Sequence, residues 1–502
     1  MLPGGAGMTT NGGASFQTRH LRRGRGFALA AALCLFCDMA GAQRLHRYTV
    51  GVDAALTELQ VRACFEGAPP EALYAESLDA ALALIEVRIE GSGKAIEPAG
   101  SIRLKNVPDN GCIAYRADVS RPIKKHDRTG GKIRKVGGDL LTSTGIWLWR
   151  PLQLAADEDV EIAFALPEGI SVSAPWRPVS MAPGRAVFRM GRSPPDWPAS
   201  VAFGRFRERE LRVGEARLRV SVLDGSPAPD IEALHGWIAD AAQMVANLYG
   251  RFPQPQAQVV IAPGARGSEP TPEAYVVRGG GPAVHFFVNQ RRPIREFYED
   301  WTAVHELSHL LLPYVDPDDA WLSEGIATYY QNVLRARAGR MSVDEAWRRL
   351  HAGFERGRQS AHGMTLAQAT ERMYRGGTFM RVYWEGAAMV LIADVRLRQV
   401  SAGKQSMDTA LGALNECCGG TDRAWSAAEI FEKLDALTGT NVFGDLYRQH
   451  VAAKAFPDLA QAYRALGITA GEAGLEFSSD DRPRQMRDML MAPAADSGTR
   501  GE

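Results

Sequence analysis

Two histidines four residues apart, with a glutamate beside the first, carry the strongest chemical signal in this chain: His305-Glu306-Leu307-Ser308-His309. Residues i and i+4 share one face of a helix, so both imidazoles of such a segment can converge on one ion. Glu306 sits next to that face, where it can hold and deprotonate a water without itself binding the metal. Further along, Glu324 lies within Trp321-Leu322-Ser323-Glu324-Gly325-Ile326-Ala327-Thr328-Tyr329-Tyr330, the start of a second amphipathic run. Residues 316–320 read as a turn, and a second helix returning alongside the first brings Glu324 to the open side of the histidines. Two His and one Glu leave a fourth tetrahedral position for water, whereas structural zinc sites are closed and cysteine-rich. The expected chemistry is hydrolytic: Zn²⁺ held by His305, His309 and Glu324, with Glu306 as general base.

The elements that must position these residues follow from periodicity. A helix is predicted over 292–312, carrying both histidines and stopped by Pro313. Upstream lie predicted strands over 218–223, 259–262 and 283–288, and a helix over 230–249 that ends at Gly250. The segment Gly279-Gly280-Gly281-Pro282-Ala283-Val284-His285 leads into the last strand, and its glycines suit a backbone lying close to a ligand. Gly280 and Gly281 are candidate substrate contacts on that ground, and His285 is either a further contact or, as a lone histidine on a strand more often is, a structural residue. Residues 45–205 show short alternating runs, as at 56–63, 83–89 and 159–164, separated by Gly, Pro, Asn and Asp. That pattern predicts a β-sandwich. Beyond about 340 the pattern is almost continuously helical to 466, and 480–502, charged and rich in small residues, reads as a disordered tail. The expected fold class is multidomain α+β. Its parts are a signal peptide over 1–42, a β-sandwich over 43–205, a catalytic domain over 206–340, an all-helical domain over 341–479 and a tail over 480–502.

At His305-Glu306-x-x-His309 and Trp321-Leu322-x-Glu324-Gly325-x-x-x-Tyr329-Tyr330 the chain resembles the gluzincin zinc metallopeptidases. Within them it is most similar to the glycyl aminopeptidase family, and next to the alanyl and leucyl aminopeptidases. Weaker likeness in domain order and helix pattern extends over residues 45–470. The resemblance implies a thermolysin-like catalytic domain, one zinc per chain, a peptide or protein substrate and aminopeptidase activity. It also implies a tyrosine that stabilises an oxyanion. Tyr383-Trp384-Glu385-Gly386 matches a Tyr-x-Lys-Gly-like motif, with Glu385 where lysine is usual, and assigns that role to Tyr383.

Two features depart from the family. Its glycine-rich motif carries a glutamate that holds the peptide's free amine, and residues 279–285 contain none. Endopeptidase or another amide hydrolase therefore stays open beside aminopeptidase. A peptide-binding protein that keeps the fold without turnover is a third reading, and the intact Glu306 argues against it. The PDZ domain common in the glycyl family has no room in the roughly 30 residues after Ile468.

The basic stretch Arg19-His20-Leu21-Arg22-Arg23-Gly24-Arg25, an apolar run over 27–36 and the small-residue site Ala40-Gly41-Ala42 have the layout of a signal peptide cleaved near Ala42. The apolar run is about half the roughly 20 residues a spanning helix needs, so no membrane span is expected in the mature chain. The expected location is periplasmic or secreted. Of six cysteines, Cys64, Cys112, Cys417 and Cys418 then remain, and export fits disulfides. Cys64 is expected to pair with Cys112; Cys417 and Cys418 are either a vicinal bridge or two free thiols. The 58 basic and 58 acidic residues cancel and no basic stripe is present, which argues against a nucleic-acid partner. No pattern speaks to the oligomeric state.

Overall fold

The computed structural model describes residues 44–120, 132–360, 362–420, 423–471 and 474–492. The expected signal peptide lies outside the described residues. In the N-terminal region, strands that alternate buried and exposed side chains build two sheets. Arg44–Val52 and Glu58–Cys64 are typical of them. The first sheet has seven strands in the order Arg177–Ala182, Arg185–Met190, Glu158–Ala165, Arg44–Val52, Glu58–Cys64, Cys112–Asp118, Leu84–Ile89. The second has four, in the order Ser171–Ser173, Ser200–Gly204, Asp139–Ser143, Ile133–Val136. Tyr48, Ile162 and Phe164 from the first and Leu140, Val172 and Phe203 from the second share one core, the arrangement of a sandwich. Cys64 and Cys112 stand directly opposite each other in neighbouring strands and are joined by a disulfide, as the sequence suggests. Cys417 and Cys418 are also bridged.

A five-stranded sheet follows, in the order Glu208–Val213, Ala216–Val222, Gln256–Pro263, Ala283–Val288, Glu273–Val277. Its three inner strands are parallel and both edge strands antiparallel. Val220, Ile261 and Phe286 belong to one large core with the Ile231–Ala246 helix and the helices that follow it, as far as Met491. Val260, Ala262 and Phe287 on the other face pack with Val136, Leu141 and Ala202 of the sandwich. The histidine-bearing helix is therefore braced by the sheet on one side and by the helical region on the other. Among the described residues no helix is long and apolar enough to cross a membrane.

Two elements differ from the sequence reading. The helix expected over 292–312 is broken into Ile294–Glu299, Thr302–Ser308 and a 3₁₀ turn, His309–Leu311. Asp300, between the first two, is extended, with ψ at 152°. Its carboxylate accepts the backbone N–H of Trp301 at 2.8 Å, a local bond that competes with helix continuation. Of the tail expected over 480–502, Asp481–Met491 is instead helical, and residues 493–502 lie outside the described residues. Leu490 and Met491 are buried, Arg337 donates to the Leu490 carbonyl at 2.8 and 3.0 Å, and Arg487 donates to the Leu466 carbonyl at 2.7 Å. Composition conceals such a segment, because a few apolar side chains and an arginine from a distant helix hold it.

Candidate metal centre

His305 and His309 present their rings on one face, with centroids 4.9 Å apart. Glu324 arrives from the facing helix, Ala320–Arg337. Its Oε2 lies 3.2 Å from His305 Nε2 and 3.7 Å from His309 Nε2, and one ligand atom from each of the three residues falls within 4.8 Å of the others. Donors about 2.0–2.1 Å from a tetrahedral zinc sit roughly 3.3 Å apart, so this set fits zinc. The far sides of both rings are held as well. His305 Nδ1 is 2.8 Å from Gln331 Oε1, and His309 Nδ1 is 2.8 Å from Ser323 Oγ. Gln331 Oε1 only accepts, so the His305 proton sits on Nδ1 and Nε2 is free to ligate.

Sequence reasoning missed Gln331, Ser323 and Arg278. Gln331 lies seven residues past Glu324, two turns along the same face, which was the available signal. Arg278 donates through Nη2 to the carbonyls of His309 and Leu312 at 2.9 and 3.1 Å, securing the end of the histidine segment. It comes from just beyond an edge strand distant in sequence, and nothing local marks it.

Burial shapes the charges here. Burial and the nearby Glu324 push the Glu306 carboxyl up to about 7, against the pull of His305. A divalent cation nearby favours the carboxylate instead. His309 is drawn down to about 4 by burial, with His305 and Arg278 adding to the effect and Glu324 opposing it. Burial works against protonation of His305, but Glu324, Glu306 and Gln331 together raise it. Tyr383 is raised well above its ordinary value by burial and by Glu324, so its phenol stays protonated.

Tyr383 stacks its ring on that of His305, with centroids 5.6 Å apart and planes 19° apart. Two glycines put it there. A Cβ on Gly325 would meet Gly386 Cα at 2.5 Å, and one on Gly386 would meet the Trp321 carbonyl oxygen at 2.4 Å. The Ala320–Arg337 and Phe379–Val400 helices therefore cross in backbone contact, and the side chains of Glu324 and Tyr383 meet in a hydrogen bond beside the crossing. Glu385, at the position where lysine was expected, is fully buried and ion-paired with Arg381.

The candidate substrate contacts come from the Ala283–Val288 strand and the glycine segment before it. Gly280 and Gly281 press against the sandwich: added Cβ atoms would meet Met190 Cγ at 2.7 Å and the Pro175 carbonyl oxygen at 2.2 Å. Gly191 N–H donates to the Gly280 carbonyl at 2.9 Å. Both glycines also line a cavity of about 480 Å³ with Arg278 and Tyr314. His285 is sealed in the sheet, packed edge-on against Tyr275 at 5.1 Å, with neither ring nitrogen hydrogen-bonded. It pairs in register with Val260, on the face turned to the sandwich.

Burial, helped by Arg134, lowers His285 to about 3. A folded-state pKa below the unfolded one means that the neutral ring's contribution is whole above about pH 6.5 and is lost as pH falls towards 3, by up to about 1.4 kcal/mol per pH unit. His285→Leu is therefore expected to flatten the acid limb of a stability-against-pH curve measured by thermal unfolding, with KM for peptides unchanged. A raised KM would return His285 to the substrate.

No protein-family model and no curated protein sequence matches this chain. Solved structures do match its fold. An aminopeptidase N family protein from Idiomarina loihiensis gives a TM-score of 0.65 at 12% identity, over 87% of this chain and 82% of that chain. An M1 zinc metallopeptidase from Deinococcus radiodurans gives 0.55 at 15% identity, over 83% and 94%. At these identities the likeness is one of fold: the chain has the multidomain α+β architecture of these proteins, β-sheets first and a helical region after.

Proposed function

We propose that this chain is an exported zinc metallopeptidase that hydrolyses peptide bonds, most simply as an aminopeptidase. The observation that carries the reading is the convergence of His305, His309 and Glu324, with Glu306 and Tyr383 beside them. Zinc, when bound, supplies Lewis-acid polarisation of a carbonyl and activation of water. The remaining steps belong to the chain's own groups. Glu306 accepts the proton of the attacking water and delivers it to the leaving amine. Tyr383, kept protonated, donates a hydrogen bond to the carbonyl oxygen as charge develops there. Gln331 and Ser323 hold the imidazoles in orientation.

A fold neighbour from Deinococcus radiodurans was crystallised with a Tyr-Ser-Ala substrate, which supports a peptide as the substrate class. The two disulfides support an exported chain. One observation favours the endopeptidase alternative: the glycine segment packs on the sandwich and brings no carboxylate with which to hold a free amine.

Metal analysis is expected to find about one zinc per chain, with cleavage lost on chelation and restored by zinc. His309→Ala is expected to abolish both binding and cleavage. Cleavage that survives complete removal of zinc sinks the reading, and cleavage of N-blocked peptides removes the aminopeptidase label.

A further inference from the structure

A cavity of about 310 Å³ opens beside Tyr383, between the Ala320–Arg337 and Val343–Gln359 helices and the start of Phe379–Val400. Gln331 and Tyr383 belong both to its wall and to the surroundings of His305, so it adjoins the metal centre. Trp301, 41% exposed, also lines it, with its ring 5.1 Å from that of His305.

The charge of this cavity is one-sided. Arg335, Arg349 and Arg356 line it, and among the described residues no aspartate or glutamate does. Arg335 is 3% exposed; its Nη2 donates to the Glu299 carbonyl, while Nε and Nη1 have no hydrogen-bond partner. Asp300 and Glu299 act on it electrostatically and Arg349 opposes them, but no carboxylate forms an ion pair with it among the described residues. Buried guanidinium groups are normally paired, so this one is short of counter-charge. Arg356 lies over the Trp384 ring, 5.2 Å from its centroid, and likewise has no ion pair among the described residues. Arg349 engages Glu345 at 2.7 Å. Thr328 Oγ1, buried in the same wall, also lacks a partner. Under-compensated cations around a cavity draw in anions, and a guanidinium matches a carboxylate in shape and charge.

We propose that this cavity is a carboxylate-binding subsite, in which Arg356 and Arg335, supported by Arg349, hold an anionic group of the peptide being cleaved. The proposal rests on the peptidase reading of the neighbouring centre. The carboxylate has two sources: an acidic side chain next to the scissile bond, or the free C-terminus of a short peptide.

Three matched peptide pairs given to the zinc-loaded full chain test it. They compare glutamate with glutamine before the scissile bond, glutamate with glutamine after it, and a free with an amidated C-terminus. In one pair kcat/KM is expected to favour the carboxylate by about ten-fold or more, and the responding pair names the source. In Arg335→Met and Arg356→Gln that ratio falls towards one. Arg356 is exposed, so its variant folds even if the buried substitution does not. Equal rates within every pair, or an unchanged ratio in Arg356→Gln, overturns the proposal. Calorimetry of the same peptides with Glu306→Gln reads the subsite without turnover. Tighter binding of the carboxylate member, with no cleavage by the wild type, keeps the subsite and discards the peptidase reading. Equal binding alongside normal cleavage does the reverse.

Discussion

Glu306→Gln is expected to bind zinc as the wild type does and to lose about 10²- to 10⁴-fold in peptide cleavage. The substitution is nearly isosteric and leaves His305, His309 and Glu324 in place, so the metal donors survive. What it removes is the group able to take a proton from water beside the substrate carbonyl. Stability should not fall. The wild-type carboxyl is buried and pushed up to about 7, and a neutral amide has no ionisation penalty to meet there. Side-by-side metal content, thermal unfolding and kcat/KM separate these effects. Cleavage within ten-fold of wild type, with full zinc, would assign the proton transfer to a different residue.

The second large effect is expected far from any charge. Alanine is better than glycine in a helix by about 1 kcal/mol, yet Gly386→Ala should destabilise the protein by about 1–3 kcal/mol or more. The added methyl meets the Trp321 carbonyl oxygen at 2.4 Å and Gly325 Cα at 2.8 Å, and backbone cannot rotate aside as a side chain can. The two helices must then separate. Because Glu324 and Tyr383 lie next to the crossing, cleavage should fall together with the unfolding temperature. Gly325→Ala, whose methyl meets Gly386 from the other side, should behave alike. If Gly386→Ala unfolds at the wild-type temperature, the helices do not touch at this point.

The cluster of His305, His309 and Glu324 was legible because its logic is local. Two histidines one turn apart and a glutamate early in the next helix can be read from spacing, since a helix has a fixed pitch. The strands over 216–222, 256–263 and 283–288 were legible for a similar reason: alternating or continuous apolar runs have few other ways to be buried. The helix break at Asp300 was not, because an apolar period continues across it and side-chain bonds from Asp300 to Trp301 and Thr302 interrupt the backbone. His285 kept two readings, contact or structural residue, for a different reason. A histidine on a strand after three glycines looks exposed to ligand, but which face of a strand meets the core depends on what covers each side of the sheet.

Taken alone, the order of residues determined the types and spacing of the candidate donors and the β-then-helical succession, and it only suggested the Cys64–Cys112 pairing, which the facing strands settled. Tertiary structure decided the rest. It set Glu324 3.2 Å from His305, locked two helices together through Gly325 and Gly386, and turned the glycine segment to the sandwich. It also gathered Arg335, Arg349 and Arg356 around one cavity. The division has one cause. Hydrogen-bonded periodicity links residues only a few positions apart, whereas the approach of distant segments is set by how whole surfaces pack, which no short window of sequence contains.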